Sequence, residues 1–217
     1  LTSRPDMGYN TPMRSRKRSH IILITMFFVA TLFATNTFSS TGIILEDEGA
    51  ERSAIIEKTI SFLKDRKPGV PDDKIQVIAN SVYEESKKYD LDYRLILAIM
   101  KVESNFRNDA VSRRGARGLM QINPSSARII ARESGVEVKG ARCLHEPEKN
   151  IKIGVSYLSK LRDMFDNIVS ALHAYNAGPG KVKKPASEEK ARTTSFTRKV
   201  MSEYRQISEV LPEPDEE

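Results

Sequence analysis

The sequence predicts a predominantly α-helical fold, on two observations. Apolar residues recur at steps of three and four along most of the chain, as in Ile75, Ile78, Ala79 and Val82, or Phe196, Val200, Tyr204 and Ile207. That spacing lays side chains along one face of a helix. No two segments alternate apolar and polar residues in the way a half-buried sheet requires.

The chain of 217 residues opens with a charge asymmetry. Arg4, Arg14, Arg16, Lys17 and Arg18 against the lone Asp6 place +4 of the net +6 in the first 20 residues. The remainder is nearly balanced, which argues against nucleic acid as a partner. Behind the basic cluster runs an apolar stretch from Ile21 to Ala34. It is short for a membrane span, which takes about 20 residues, and matches a secretory signal. Extension through Phe38 would make a membrane anchor, so residues 1–42 read as signal peptide or anchor, with Met13 a plausible start. The best small-x-small cleavage candidate is Ser40-Thr41-Gly42.

Residues 43–71 read as a stalk or linker containing a possible helix, since Ile56, Ile60 and Leu63 fall at helical offsets. This helix could also be the first of the folded domain. Lys67-Pro68-Gly69-Val70-Pro71-Asp72 breaks the pattern, so the main domain is expected over 72–211, with an acidic tail at 212–217. Within it, helices are expected from Asp73 to Lys88, and from an N-cap at Asp92 through Glu103. Asn105 to Ile122 reads as a loop. Asn123-Pro124, an N-cap followed by proline at the first helical position, opens the next helix, which Ser134-Gly135 ends. Gly140 to Pro147 is irregular. Ile151, Gly154, Val155, Leu158, Leu161 and Phe165 form a long stripe, and Val169 to Asn176 is a helix stopped by Gly178-Pro179-Gly180. Lys181 to Thr194 is polar and expected to be mobile, ahead of a terminal helix. The single Cys143 leaves no intramolecular disulfide, and His20, His145 and His173 are too scattered for a metal site. No metal or cofactor is expected.

Glu103 stands out as a carboxylate on an apolar helix face. Three, four and seven residues before it lie Met100, Ile99 and Ile96. A carboxyl in line with them is driven toward a low-dielectric interior, which raises its pKa. A raised pKa suits a general acid, although a solvent-facing helix end or a pairing with Arg107 would explain the residue structurally.

Three blocks follow in order: Glu103-Ser104, then Gly118-Leu119-Met120-Gln121, then Ala174-Tyr175-Asn176. This ordered set resembles the lytic transglycosylases with a goose-lysozyme-like catalytic domain, from about Asp72 to about Val210. Asn123 departs from the methionine many relatives carry, and His173 from a common alanine. The resemblance implies a lysozyme-like all-α domain and an exported bacterial envelope enzyme. It would lie in the periplasm, free or held at the inner membrane through residues 21–38, and act on peptidoglycan glycan strands. The implied reaction cleaves the bond between N-acetylmuramic acid and N-acetylglucosamine and forms a 1,6-anhydro sugar.

The resemblance makes Glu103 the catalytic acid and Tyr175 the residue whose hydroxyl points at it. Asp109, six residues on, is a minor candidate for a second carboxylate. Ser112 is expected to present a hydroxyl toward the reacting sugar, and Gly118 to allow close backbone approach. Met120 and Gln121 are expected to line the glycan cleft. Ser104 would either hold the helix end or contact substrate, and Asn176 would either cap its helix or reach substrate. Two alternatives stay open: a goose-type lysozyme-like hydrolase, in which water attacks, and an inactive peptidoglycan-binding component of an envelope assembly.

Overall fold

The structure is a computed structural model and describes residues 49–66, 70–165, 167–182 and 193–214. The expected signal or anchor, the break at 67–69, most of the polar stretch at 181–194 and the end of the acidic tail lie outside the described residues. From Glu51 on, the chain forms one compact unit. Its helices are α1 (residues 49–66), α2 (Asp72–Tyr89), α3 (Tyr93–Ser104), α4 (Pro124–Ser134), α5 (Pro147–Phe165), α6 (Ile168–Ala177) and α7 (Ser195–Ser208). Short 3₁₀ turns at Ala141–His145 and Pro179–Lys181 complete the set. The first of these replaces the irregular segment expected there.

Helix α3 is the centre of the fold. Leu95 is 6% exposed and Ile96 to Met100 are fully buried. A helix apolar all round is stable only when neighbours enclose it. Here α7 packs extensively along α3, while α5 packs on α2, α6 and α4. The Asp92 carboxylate caps α3 by accepting from the Arg94 N–H at 2.8 Å, and Asn123 caps α4 by accepting from Ser125. Both caps stand where the sequence puts them. The stripe on α2 is equally legible: Ile75, Ile78, Ala79 and Val82 are all buried.

Helix α1 lies in the stretch expected to be stalk or linker, yet Ile55, Ile56, Phe62 and Leu63 belong to the common apolar core, while Ile60 is half-buried. Arg52 binds the Glu84 carboxylate of α2 at 2.8 Å, and Lys64 reaches Asp72. The buried face of this helix is wider than the Ile56, Ile60, Leu63 stripe, since it also takes in Ile55, Thr59 and Phe62. Among the described residues no helix is long and apolar enough to cross a membrane.

Candidate active site

Glu103 sits in the last turn of α3, at one wall of a cleft of ≈ 390 Å³. Ser112, Gln121, Tyr157, Tyr175 and Asn176 share the lining with it, and Glu103 is the one carboxylate among the lining residues. Burial pushes its carboxyl from 4.5 up to about 7. The position near a helix C-terminus, where the aligned peptide dipoles leave negative charge, acts in the same direction. Among the described residues Glu103 accepts no hydrogen bond and has no cationic partner. The Arg107 guanidinium donates instead to the Ser104 carbonyl, so the structural pairing with Arg107 is absent. Asp109 is exposed and not part of the cleft.

The loop that follows is pinned at several points. Isolated antiparallel bridges pair Val111 with Arg117 and Arg117 with Ile122. The Ser112 hydroxyl accepts from the Ala116 N–H at 3.0 Å and lines the cleft. Gln121 takes a left-handed conformation, φ +49°, while its side-chain amide donates to the Gly118 and Ala110 carbonyls. Gln121 lines the cleft, and among the described residues its side-chain carbonyl oxygen accepts no hydrogen bond.

Three residues expected at the substrate are turned inward. Ser104 is buried, and its hydroxyl donates to the Leu119 carbonyl at 2.8 Å, tying the acid-bearing helix to the loop. Met120 is fully buried against Gly154, where an added Cβ would lie 2.4 Å from its Sδ. Gly118, at φ +76°, is required by its own neighbours rather than by a ligand. A Cβ there would meet the Leu144 carbonyl at 2.1 Å and the Asn150 amide at 2.3 Å. In each case a buried backbone group or close packing claims the residue before a substrate can reach it.

Tyr175 also departs from expectation. Its hydroxyl donates to the Met120 carbonyl at 2.8 Å, not to Glu103. That carbonyl would otherwise be a buried acceptor without a partner. Burial, with Glu103 and Tyr157 adding to it, holds the phenol far above its usual range, so it stays protonated. Asn176 is exposed at the cleft. The helix end is closed instead by the Gly178 N–H donating to Ala174, which disposes of the capping role.

Sequence reasoning missed one face of α5. Asn150, Gly154 and Tyr157 fall at offsets of four and three, on one side of the helix. Asn150 is fully buried; it accepts from the Met120 N–H at 2.7 Å and donates to the Arg117 and Leu144 carbonyls. Gly154 makes room for Met120. Tyr157 lines the cleft, its ring centroid 5.4 Å from that of Tyr175. A polar residue, a glycine and a tyrosine along one line beside the apolar stripe was the available signal. Among the described residues no group of three or more His, Cys, Asp or Glu side chains is placed to hold a metal ion.

The family model described as Transglycosylase SLT domain matches residues 80–196. The chain belongs to this family. It is 36% identical over 129 residues to membrane-bound lytic murein transglycosylase C of Photorhabdus laumondii, across 55% of this chain and 36% of that protein. The Klebsiella pneumoniae protein of the same name is 38% identical over 125 residues, across 53% and 35%. The chain thus spans about a third of the length of these curated relatives. Among solved structures, an inactive mutant of the lytic transglycosylase Slt from Pseudomonas aeruginosa aligns with a TM-score of 0.55 and 29% identity, over 68% of this chain and 25% of that one. The 70 kDa soluble lytic transglycosylase of Escherichia coli aligns at 0.53 and 25% identity, over 67% and 25%. In this transglycosylase domain all three motif blocks fall within the matched residues, and α1 lies outside them.

Proposed function

We propose that this protein is a peptidoglycan lytic transglycosylase with Glu103 as its acid and base. The observation that carries the proposal is a lone, half-buried carboxyl in the cleft, with its pKa pushed up to about 7 by desolvation. Glycosidases that work through two carboxyl groups hold a second one opposite the scissile bond. Among the residues lining this cleft there is no such second carboxyl, which favours a nucleophile supplied by the substrate.

Glu103 donates its proton to the bridging oxygen between N-acetylmuramic acid and N-acetylglucosamine, and the C1–O bond breaks. The C6 hydroxyl of the same muramic acid then bonds to C1, and its proton passes to the Glu103 carboxylate. The acid is regenerated and a 1,6-anhydro sugar is released without consuming water. An intramolecular hydroxyl has a high effective concentration, which substitutes for an external nucleophile. Ser112, Gln121, Asn176 and Tyr157 supply polar and aromatic contacts for the sugars. Tyr175 holds the Met120 peptide and, through it, the loop wall facing Glu103.

The folded unit that carries this chemistry begins at Glu51, with α1 included. The basic, apolar start of the chain and the membrane-bound relatives support export to the cell envelope, with residues 21–38 serving as signal or membrane anchor.

Mass spectrometry of muropeptides released from purified cell walls tests the reaction. The anhydro product is lighter by one water than a hydrolysis product. Anhydro-muropeptides from the wild type, and none from Glu103→Gln, are expected. Hydrated products would make the protein a lysozyme-like hydrolase, and binding without release an inactive wall-binding component.

A further inference from the structure

The turn after Glu103 is held in a conformation its own residues disfavour. Asn105 and Phe106 are consecutive left-handed residues, at φ +52° and +60°. The Asn105 N–H donates to Lys101 at 3.0 Å, an αL-type helix end, and the Phe106 N–H reaches back to Met100 at 3.3 Å. That motif needs one left-handed residue, and asparagine tolerates the role. A second one bearing a bulky side chain is an outlier that local bonds do not explain.

Packing explains it. Phe106 is 4% exposed, and its ring meets Phe62 of α1 edge to face, with centroids 6.2 Å apart and planes at 88°. Phe62 is itself 5% exposed, and the Arg66 guanidinium lies over its ring at 4.9 Å. On the other side of the acid, Ser104 is tied to Leu119. The end of α3 is therefore clamped between the loop carrying Gln121 and a helix outside the matched family domain.

We infer that Phe62 is a positioning residue for Glu103: by holding Phe106 in its left-handed state, α1 sets the last turn of α3 and thus the place of the acid in the cleft. The inference rests on Glu103 being the acid. Truncating Phe62 frees Phe106 to return to an allowed region. The last turn then loosens and the carboxyl becomes more exposed to water.

The test uses the full chain with Phe62→Ala and Phe62→Leu. Ile207→Ala serves as the control, a fully buried position on α7. Ile207 accepts from Leu211, and the Tyr93 hydroxyl donates to Pro212. This places the control beside the start of α3, about 15 Å of helix from Glu103. Two quantities are read well below each melting temperature: kcat and KM for muropeptide release, and the titration midpoint of Glu103 by carboxyl NMR. For Phe62→Ala, kcat is expected to fall about tenfold or more with KM within about twofold. Its Glu103 midpoint should move down from about 7. Phe62→Leu should fall between wild type and Phe62→Ala, and it decides the matter if Phe62→Ala does not fold. Ile207→Ala should lose stability while keeping both kcat and midpoint. Wild-type kcat and midpoint in the folded Phe62 variants would overturn the inference, as would equal losses in Ile207→Ala. If the wild type releases no anhydro product, the proposed reaction fails on its own, and the NMR midpoint still decides whether Phe62 positions Glu103.

Discussion

Replacing Glu103 by glutamine is expected to stabilise the folded chain at alkaline pH while abolishing turnover. The carboxyl moves from 4.5 to about 7 because burial disfavours its charge. The folded state therefore holds the proton more tightly than the unfolded state. Below pH 4.5 both states are protonated, and the full contribution to stability is present. As pH rises toward 7 the unfolded chain ionises first and stability is lost. Above 7 both states are charged and the loss levels off. A displacement of this size corresponds to about 3 kcal/mol, a large share of the 5–15 kcal/mol typical of a domain. Glutamine has no such dependence. Urea unfolding of both proteins at pH 4, 6 and 8 gives the difference directly. Other titrating groups cancel in the comparison, among them Glu85, whose carboxyl burial also raises. The difference should shift toward the variant by up to about 3 kcal/mol between pH 4 and 8. A difference that stays constant, or moves toward the wild type, would refute the claim that Glu103 is desolvated without a stabilising partner.

Tyr175→Phe leaves the buried Met120 carbonyl without its donor; stability should fall by about 1–3 kcal/mol and kcat should drop more than KM rises, both readable from melts and muropeptide kinetics. Gly118→Ala drives a Cβ to 2.1 Å from the Leu144 carbonyl at a left-handed position; a loss above about 4 kcal/mol is expected, seen as insoluble protein or a collapsed melting temperature. A chain beginning at Asp72 lacks the buried Ile55, Ile56, Phe62 and Leu63. At about 1.5–3 kcal/mol for each large side chain, it should aggregate or melt far below one beginning at Gly49. Equal melting temperatures would show that α1 is dispensable.

Local signals were readable from the sequence alone. The helical stripes of α2, α5 and α7, the cap at Asp92 and the Asn123-Pro124 start all depend on residues within one or two turns of each other, and all hold. The phase of α3 likewise placed Glu103 toward the interior, and the ordered motif blocks led to the family. What the sequence left open was which motif residues face the cleft. The loop from Asn105 to Gln121 has no period to follow, and its side chains are sorted by partners elsewhere. Asn150 and Gly154, about thirty residues on, claim Gly118 and Met120, and Leu119 claims Ser104. Tyr157 reaches the cleft because α5 packs on α6, which brings it to Tyr175. For helix α1 the weak amphipathic signal left a stalk and the domain's first helix both open, and its burial is decided by the Phe106 and Glu84 surfaces it meets. Periodicity is a property of neighbours in the chain, whereas the direction a loop side chain takes is settled by which buried donors and acceptors must be satisfied across the fold.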